Sequence, residues 1–132
     1  MAALSFWDRH SMEDKVVQVL SGVTYHDPNH HFGHPFLTAY QPAILIKERF
    51  PDTFLSFGHP IGGKGSGVSY SFTSYLAGQL SEKIRDGTIT HVEGGFLANE
   101  KLEGIEFNDA GDRVVSSLTE TQYDLSMFRY AE

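Results

Sequence analysis

Five of the chain's thirteen glycines fall within ten residues: Gly58, Gly62, Gly63, Gly65 and Gly67. Such a stretch resists both helix and strand, because glycine loses more backbone freedom on ordering than any other residue. It therefore divides the sequence into two parts. Helical patterning dominates before it; after it comes one further helix and then β-branched, turn-punctuated sequence. Helices first and strands last predict an α+β fold.

The first helix is predicted to start at Ser11, with Glu13 and Asp14 in its first turn. Met12, Val16, Val19, Leu20 and Val23 supply its apolar stripe, and Gly22 lies near its end. Residues 24–36, with Pro28, Gly33 and Pro35, read as a loop. A second helix follows Thr38 or Gln41, with Pro42 early and Pro51-Asp52 as the stop. Thr53, Phe54, Leu55, Ser56 and Phe57 read as a short strand. Ser71 caps a third helix carrying Phe72, Tyr75, Leu76, Leu80 and Ile84, and Gly87 ends it in a left-handed conformation. Residues 88–92 are β-branched. Residues 102–107 and 113–118 flank the turn Asn108-Asp109-Ala110-Gly111-Asp112, a strong hairpin signal. Residues 123–130 are either a last strand or an arm that packs on a partner. Three helices followed by a small antiparallel hairpin or sheet also match the order of a winged-helix-like domain. Against that order, residues 51–70 stand where a helix-turn-helix has three or four.

At 132 residues the chain is expected to be one domain, with short arms at 1–10 and 119–132. Cysteine is absent, which excludes disulfides, thiolate zinc sites and cysteine nucleophiles. No apolar run reaches the roughly 20 residues of a membrane span. Residues 1–8 lack a basic, then apolar, leader pattern, so the expected location is cytoplasmic. The net charge of −7 lies entirely in residues 86–132, which hold ten acids and three bases. Residues 1–85 balance at seven of each. An acidic chain is a poor non-specific binder of nucleic acid, although a local basic face is compatible with it.

The glycine segment carries the main functional expectation. Gly58, Gly63 and Lys64 satisfy part of a phosphate-loop pattern, but Gly65 replaces the magnesium-binding hydroxyl and the helix starts too late. A looser anion site remains. Successive glycine N–H groups can form a nest, and a following helix adds its positive end. The expected contact set is Gly62, Gly63, Lys64, Gly65, Ser66, Gly67, Ser69, Ser71, Thr73, Ser74, Lys83 and Arg85. On this reading the chain is a small binding or regulatory protein, and its partner is a nucleic-acid backbone or a phosphorylated small molecule. The ordinary alternative is a surface loop whose serines only cap the helix.

Two other classes compete. A small enzyme or nucleotide-binding module would use His34, His59, Lys64 and Ser66. An acidic interaction or inhibitor protein would turn its charged last third to a basic partner. Among His26, Asp27, His30, His31 and His34, the pair His30 and His34 is the best-spaced for a metal, but Pro28 and Pro35 favour a loop. No cofactor is expected. Ten of seventeen aromatics lie between Tyr25 and Tyr75, and with the apolar segment 125–130 they suggest a homodimer. The pentads starting at Phe32 and Phe57 share Phe-Gly-His-Pro in order, which implies two similar turns.

Overall fold

The structure, a computed structural model, describes residues 4–24, 31–64, 70–117 and 124–132. The fold is mixed α+β, with five helices and two antiparallel sheets. α1 (Phe6–Arg9) lies in the stretch expected to be an arm, and its Trp7 is buried in the core. α2 (Met12–Ser21) forms where the apolar spacing predicts, and Met12, Val16, Val19 and Leu20 are fully buried. Ser11 does not cap it. The chain turns between α1 and α2 at this residue, which takes φ 49° and makes no side-chain cap bond. An N-cap needs extended backbone, so Ser11 cannot serve both purposes.

β1 (Leu37–Thr38) and α3 (Tyr40–Arg49) follow. Gln41 reaches back to accept the Thr38 N–H at 2.8 Å, joining the two residues expected to mark the helix start. The expected strand at 53–57 is instead α4 (Pro51–Phe57). Pro51 opens this helix rather than only stopping α3, since its missing N–H is needed by neither. Phe50 makes the break with φ −130° and ψ 62°. Three apolar residues in five suit a short strand, yet helical spacing lets Phe54 and Phe57 both reach Phe72, at 5.4 and 5.1 Å between ring centroids. α5 (Phe72–Arg85) carries the reciprocal Ser71–Ser74 capping box and buries Phe72, Leu76 and Leu80 completely. Residues 88–91 do not join the sheet. Thr88 donates its N–H and hydroxyl to Asp86, holding that carboxyl below its ordinary range. The Ile89 N–H bonds to the Lys83 carbonyl at 3.2 Å, so the chain folds back on the helix end first.

β2 (Val92–Leu97) and β5 (Leu125–Tyr130) pair antiparallel from Val92↔Tyr130 to Leu97↔Leu125. β1 adds to the other side of β5 through Leu37↔Phe128, giving the order β1-β5-β2. Residues 125–130, expected within an arm and at a dimer contact, therefore form the middle strand, and Leu125 and Phe128 are buried within the chain. β3 (Glu106–Asp109) and β4 (Asp112–Val115) form the predicted hairpin. Ala110 and Gly111 both have positive φ, as a two-residue primed turn demands. Lys47 ties the hairpin to α3 through Asp109 at 2.7 Å, and Tyr40 stacks on Phe107 at 5.0 Å. In the repeated pentads Gly33 and Gly58 share a positive φ, 87° and 79°, but Gly58 caps α4 while Gly33 lies in a loop.

Between α4 and α5 the chain crosses the start of α5. The carbonyls of Pro60 and Ile61 accept the N–H groups of Phe72 and Thr73 at 2.8 and 3.4 Å. Here glycine serves close approach. A Cβ on Gly62 would stand 2.5 Å from the Ser71 Cβ, and one on Gly63 would stand 2.8 Å from the Val115 carbonyl oxygen. Gly87, also left-handed at φ 80°, has open space around it. Gly87→Ala is therefore expected to cost only the backbone term, about 1 kcal/mol. Gly62→Ala should cost roughly 1–3 kcal/mol more through overpacking. Urea unfolding midpoints of the two variants check the order; equal values would remove the close-approach assignment.

Phe6, Phe57, Phe72 and Tyr75 form one aromatic cluster with centroid separations of 4.7–6.5 Å. Burial, with smaller contributions from Tyr70 and Asp8, pushes the Tyr75 hydroxyl up to about 12. A raised folded value gives stability that is complete below the unfolded value, about 10, and lost as pH rises through the folded one. Stability is thus expected to fall between about pH 10 and 12. Tyr75→Phe should flatten that alkaline limb in pH-dependent denaturation, and an unchanged slope would reassign it.

Candidate functional site

The start of α5 is one half of the expected anion site; the other half, the loop 62–67, lies partly outside the described residues. An isolated helix start leaves its first N–H groups open. Here Phe72 and Thr73 donate to Pro60 and Ile61, Ser74 donates to the Ser71 hydroxyl at 3.1 Å, and Tyr75 donates to the Ser71 carbonyl at 3.0 Å. The uncapped donors that sequence reasoning assumed are already in use. The positive end of the helix dipole remains.

Beside this start lies a cavity of about 200 Å³, bounded by α5, the β1–α3 corner, Ser117 and the beginning of β5. Seven of its ten lining residues bear hydroxyls: Thr38, Tyr40, Ser71, Thr73, Ser74, Ser117 and Ser126. Ala39, Ala77 and Leu125 form the apolar part. Most of the hydroxyls have clear structural partners. The Tyr40 hydroxyl accepts the Ser117 N–H at 2.8 Å and meets the Ser117 hydroxyl at 3.1 Å. Ser71 and Ser74 cap each other. Thr38 meets Gln41 at 3.3 Å. Thr73 is different. The residue is 6% exposed, and its Oγ1 has no hydrogen-bond partner among the described residues. Leaving a buried hydroxyl unpaired costs about 1–3 kcal/mol.

The residues singled out from sequence separate into several places. Ser71, Thr73 and Ser74 line the cavity. Gly62 and Gly63 press on Ser71 and Val115. The Lys64 N–H bonds to the Val115 carbonyl at 2.7 Å, and Lys64 borders an open groove with Glu103, Glu106 and Arg113. Gly65, Ser66, Gly67 and Ser69 lie outside the described residues. Lys83 and Arg85 stand ten and twelve residues beyond Thr73, about 15–18 Å along the helix. The Lys83 ammonium sits 5.4 Å from the Trp7 ring, and Arg85 borders a cleft between α5 and β2. The eight described residues of the expected set lie in several separate places.

The histidines are likewise dispersed. His34 Nδ1 lies 3.0 Å from the Val23 carbonyl, with its ring edge-on to Tyr130. His59 packs between Phe57 and Tyr70. His26, Asp27 and His30 lie outside the described residues, within which no group of three potential metal ligands occurs. Ser66, needed for the enzyme reading with His34, His59 and Lys64, is also outside them.

Sequence reasoning missed Thr38, Ala39, Tyr40, Ala77, Ser117, Leu125 and Ser126 as wall residues. Their spacing gives no local signal: Tyr40 and Ser117, which touch, are 77 positions apart. Among the described residues, no Asp, Glu, Lys, Arg or His lines the cavity. The described part of its wall offers neutral hydroxyl groups beside a short apolar part. Among the described residues no helix is long and apolar enough to cross a membrane. No family model, curated protein or solved structure matches the chain, so its function has to be argued from this site.

Proposed function

We propose that the chain is a small binding protein whose ligand seats in the cavity at the start of α5. The observation that carries this reading is the cavity itself, about 200 Å³, with seven hydroxyl-bearing residues among the ten described residues that line it. Small-molecule sites are concave, with an apolar part and a few polar groups that fix orientation, which is what this wall offers.

The reading keeps the binding class expected from sequence and moves the ligand from the glycine loop to the cavity. An anionic partner, whether nucleic acid or phosphorylated ligand, would draw on Lys64, Lys83 and Arg85, as would a winged-helix-like mode of recognition. Those side chains are spread over three neighbourhoods, and Glu103 and Glu106 share the groove of Lys64. A homodimer would meet the outer edge of β2, where Phe96 is 73% exposed, and not residues 125–130.

Ala77→Leu tests the proposal. It adds a good helix former whose side chain fills the cavity. The folded variant is expected to melt no lower than the parent. A compound that stabilises the parent by about 2.7 kcal/mol at a hundredfold excess over Kd should lose that effect. Thermal-shift screening of both proteins against small neutral and anionic compounds gives the readout. Stabilisation that survives Ala77→Leu would place the ligand elsewhere.

A further inference from the structure

We infer that the outer edge of β2 pairs antiparallel with the same edge of a second copy of the chain, across a two-fold axis at Gly95. This contact is separate from the cavity at the start of α5 and does not draw on it.

The bonding pattern of the sheet fixes which groups face outward. The Ala131 N–H donates to the His91 carbonyl at 2.8 Å, which makes residues 91 and 131 a hydrogen-bonded pair. Such pairs alternate along an antiparallel ladder. With the register Val92↔Tyr130 to Leu97↔Leu125, Glu93, Gly95 and Leu97 bond to β5, and Val92, Gly94 and Phe96 turn their N–H and C=O groups outward. β2 ends the strand order β1-β5-β2, and among the described residues no strand lies beyond it. Gly94 and Phe96 are exposed, Phe96 by 73%. Edge strands are ordinarily blunted by lysine, proline or a bulge. Val92-Glu93-Gly94-Gly95-Phe96-Leu97 has neither lysine nor proline, and its register runs unbroken. Its single charge, Glu93, is drawn back to Arg129 at 2.7 Å.

The side chains on this edge are self-complementary, which selects a second copy as the occupant. A two-fold axis at Gly95 sets Gly94 opposite the partner's Phe96, Gly95 opposite the partner's Gly95, and Glu93 opposite the partner's Leu97. Gly94 and Phe96 of the two copies then form two hydrogen-bonded pairs. On the face toward α5, Gly94 leaves a cleft of about 350 Å³ whose walls include Ile84, Arg85 and Phe128. Each Phe96 enters that cleft in the other copy, over a glycine and beside a guanidinium. On the opposite face Phe36, 38% exposed, rests against Gly95, its Cε1 3.7 Å from where a Cβ would stand. The closely spaced central pair brings Phe36 toward the partner's Phe36. One symmetric contact thus covers both exposed aromatics of the edge, and no like charges stand opposite each other in the paired strands. A strand of another protein would find the same outward backbone groups, but the second copy also supplies an aromatic opposite a glycine twice over. Phe96 brings roughly 100–150 Å² per copy. The interface therefore falls in the class below about 1,200 Å², and the expected Kd is about 10–100 μM.

Sedimentation equilibrium of the full chain, over concentrations spanning that range, is expected to show a monomer–dimer equilibrium. Phe96→Lys changes an exposed position, so the melting temperature of the dilute protein should stay that of the parent, while dimerisation weakens about tenfold or more. The chain has no cysteine, so a single introduced one reports the contact without background. Gly95→Cys should crosslink to itself under mild oxidation, because Cα atoms of a closely spaced pair stand about 4.5 Å apart, within disulfide reach. Glu93→Cys, whose two copies lie four positions out of register, should not. A parent that stays monomeric at every concentration would overturn the pairing and leave the edge to a strand of another protein. A dimer that Phe96→Lys does not weaken would place the contact elsewhere. Crosslinking of Gly94→Cys in place of Gly95→Cys would overturn the register.

Discussion

Two hydrogen bonds, from Phe72 and Thr73 to the carbonyls of Pro60 and Ile61, organise most of this molecule. They hold an extended segment across the head of α5 so closely that residues 62 and 63 have no room for a side chain. The same segment then reaches β4 through the Lys64 N–H and the Val115 carbonyl. One short crossing thus fixes the long helix, the hairpin and the exit from α4 relative to one another. It also decides the chemistry at the helix head. The N–H groups of residues 72–75 are used internally, and hydroxyl-bearing residues line the cavity beside them.

The hairpin is anchored a second time by Lys47 and Asp109. Asp109 is nearly buried, and one of its carboxylate oxygens has no hydrogen-bond partner among the described residues. Such a pair adds little net stability, but removing the lysine would strand a buried charge. Together with the stacking of Tyr40 on Phe107, it makes α3 the element through which the hairpin is positioned. Tyr40 is also a wall residue of the cavity through its hydroxyl bonds to Ser117. The placement of the hairpin and the shape of the cavity are therefore set partly by the same side chain.

Features governed by neighbours in sequence were legible from it. Ser71 and Ser74 cap α5, Gly87 is left-handed, and Gly111 supplies one of the two positive φ values of the hairpin turn, the other falling on Ala110. α4 departs from the expected strand because so short an apolar run carries no decisive periodicity, and the aromatic partner that favours the helix, Phe72, is remote in sequence. Ser11 was misread because the turn out of α1 demanded its backbone. At the site, Ser71, Thr73 and Ser74 were identified for their position at a helix head, with the wrong set of open donors. The opposing wall comes from Thr38, Tyr40, Ser117 and Ser126, whose proximity exists only after the sheet forms.

The strand order has a consequence for how the chain is made. The middle strand of the three-stranded sheet is the last in sequence, and its partner β1 is about 90 residues upstream. While a ribosome is still synthesising the segment between them, Leu37 and Val92 have nothing to pair with. The helices can collapse around Phe72 and Leu20 during that interval, but the sheet must wait for residues 125–130. Closing so long a loop makes the final step slow relative to the local ones. Until then β1 and β2 expose bare backbone edges, the surfaces on which nascent chains misassociate and on which chaperones act.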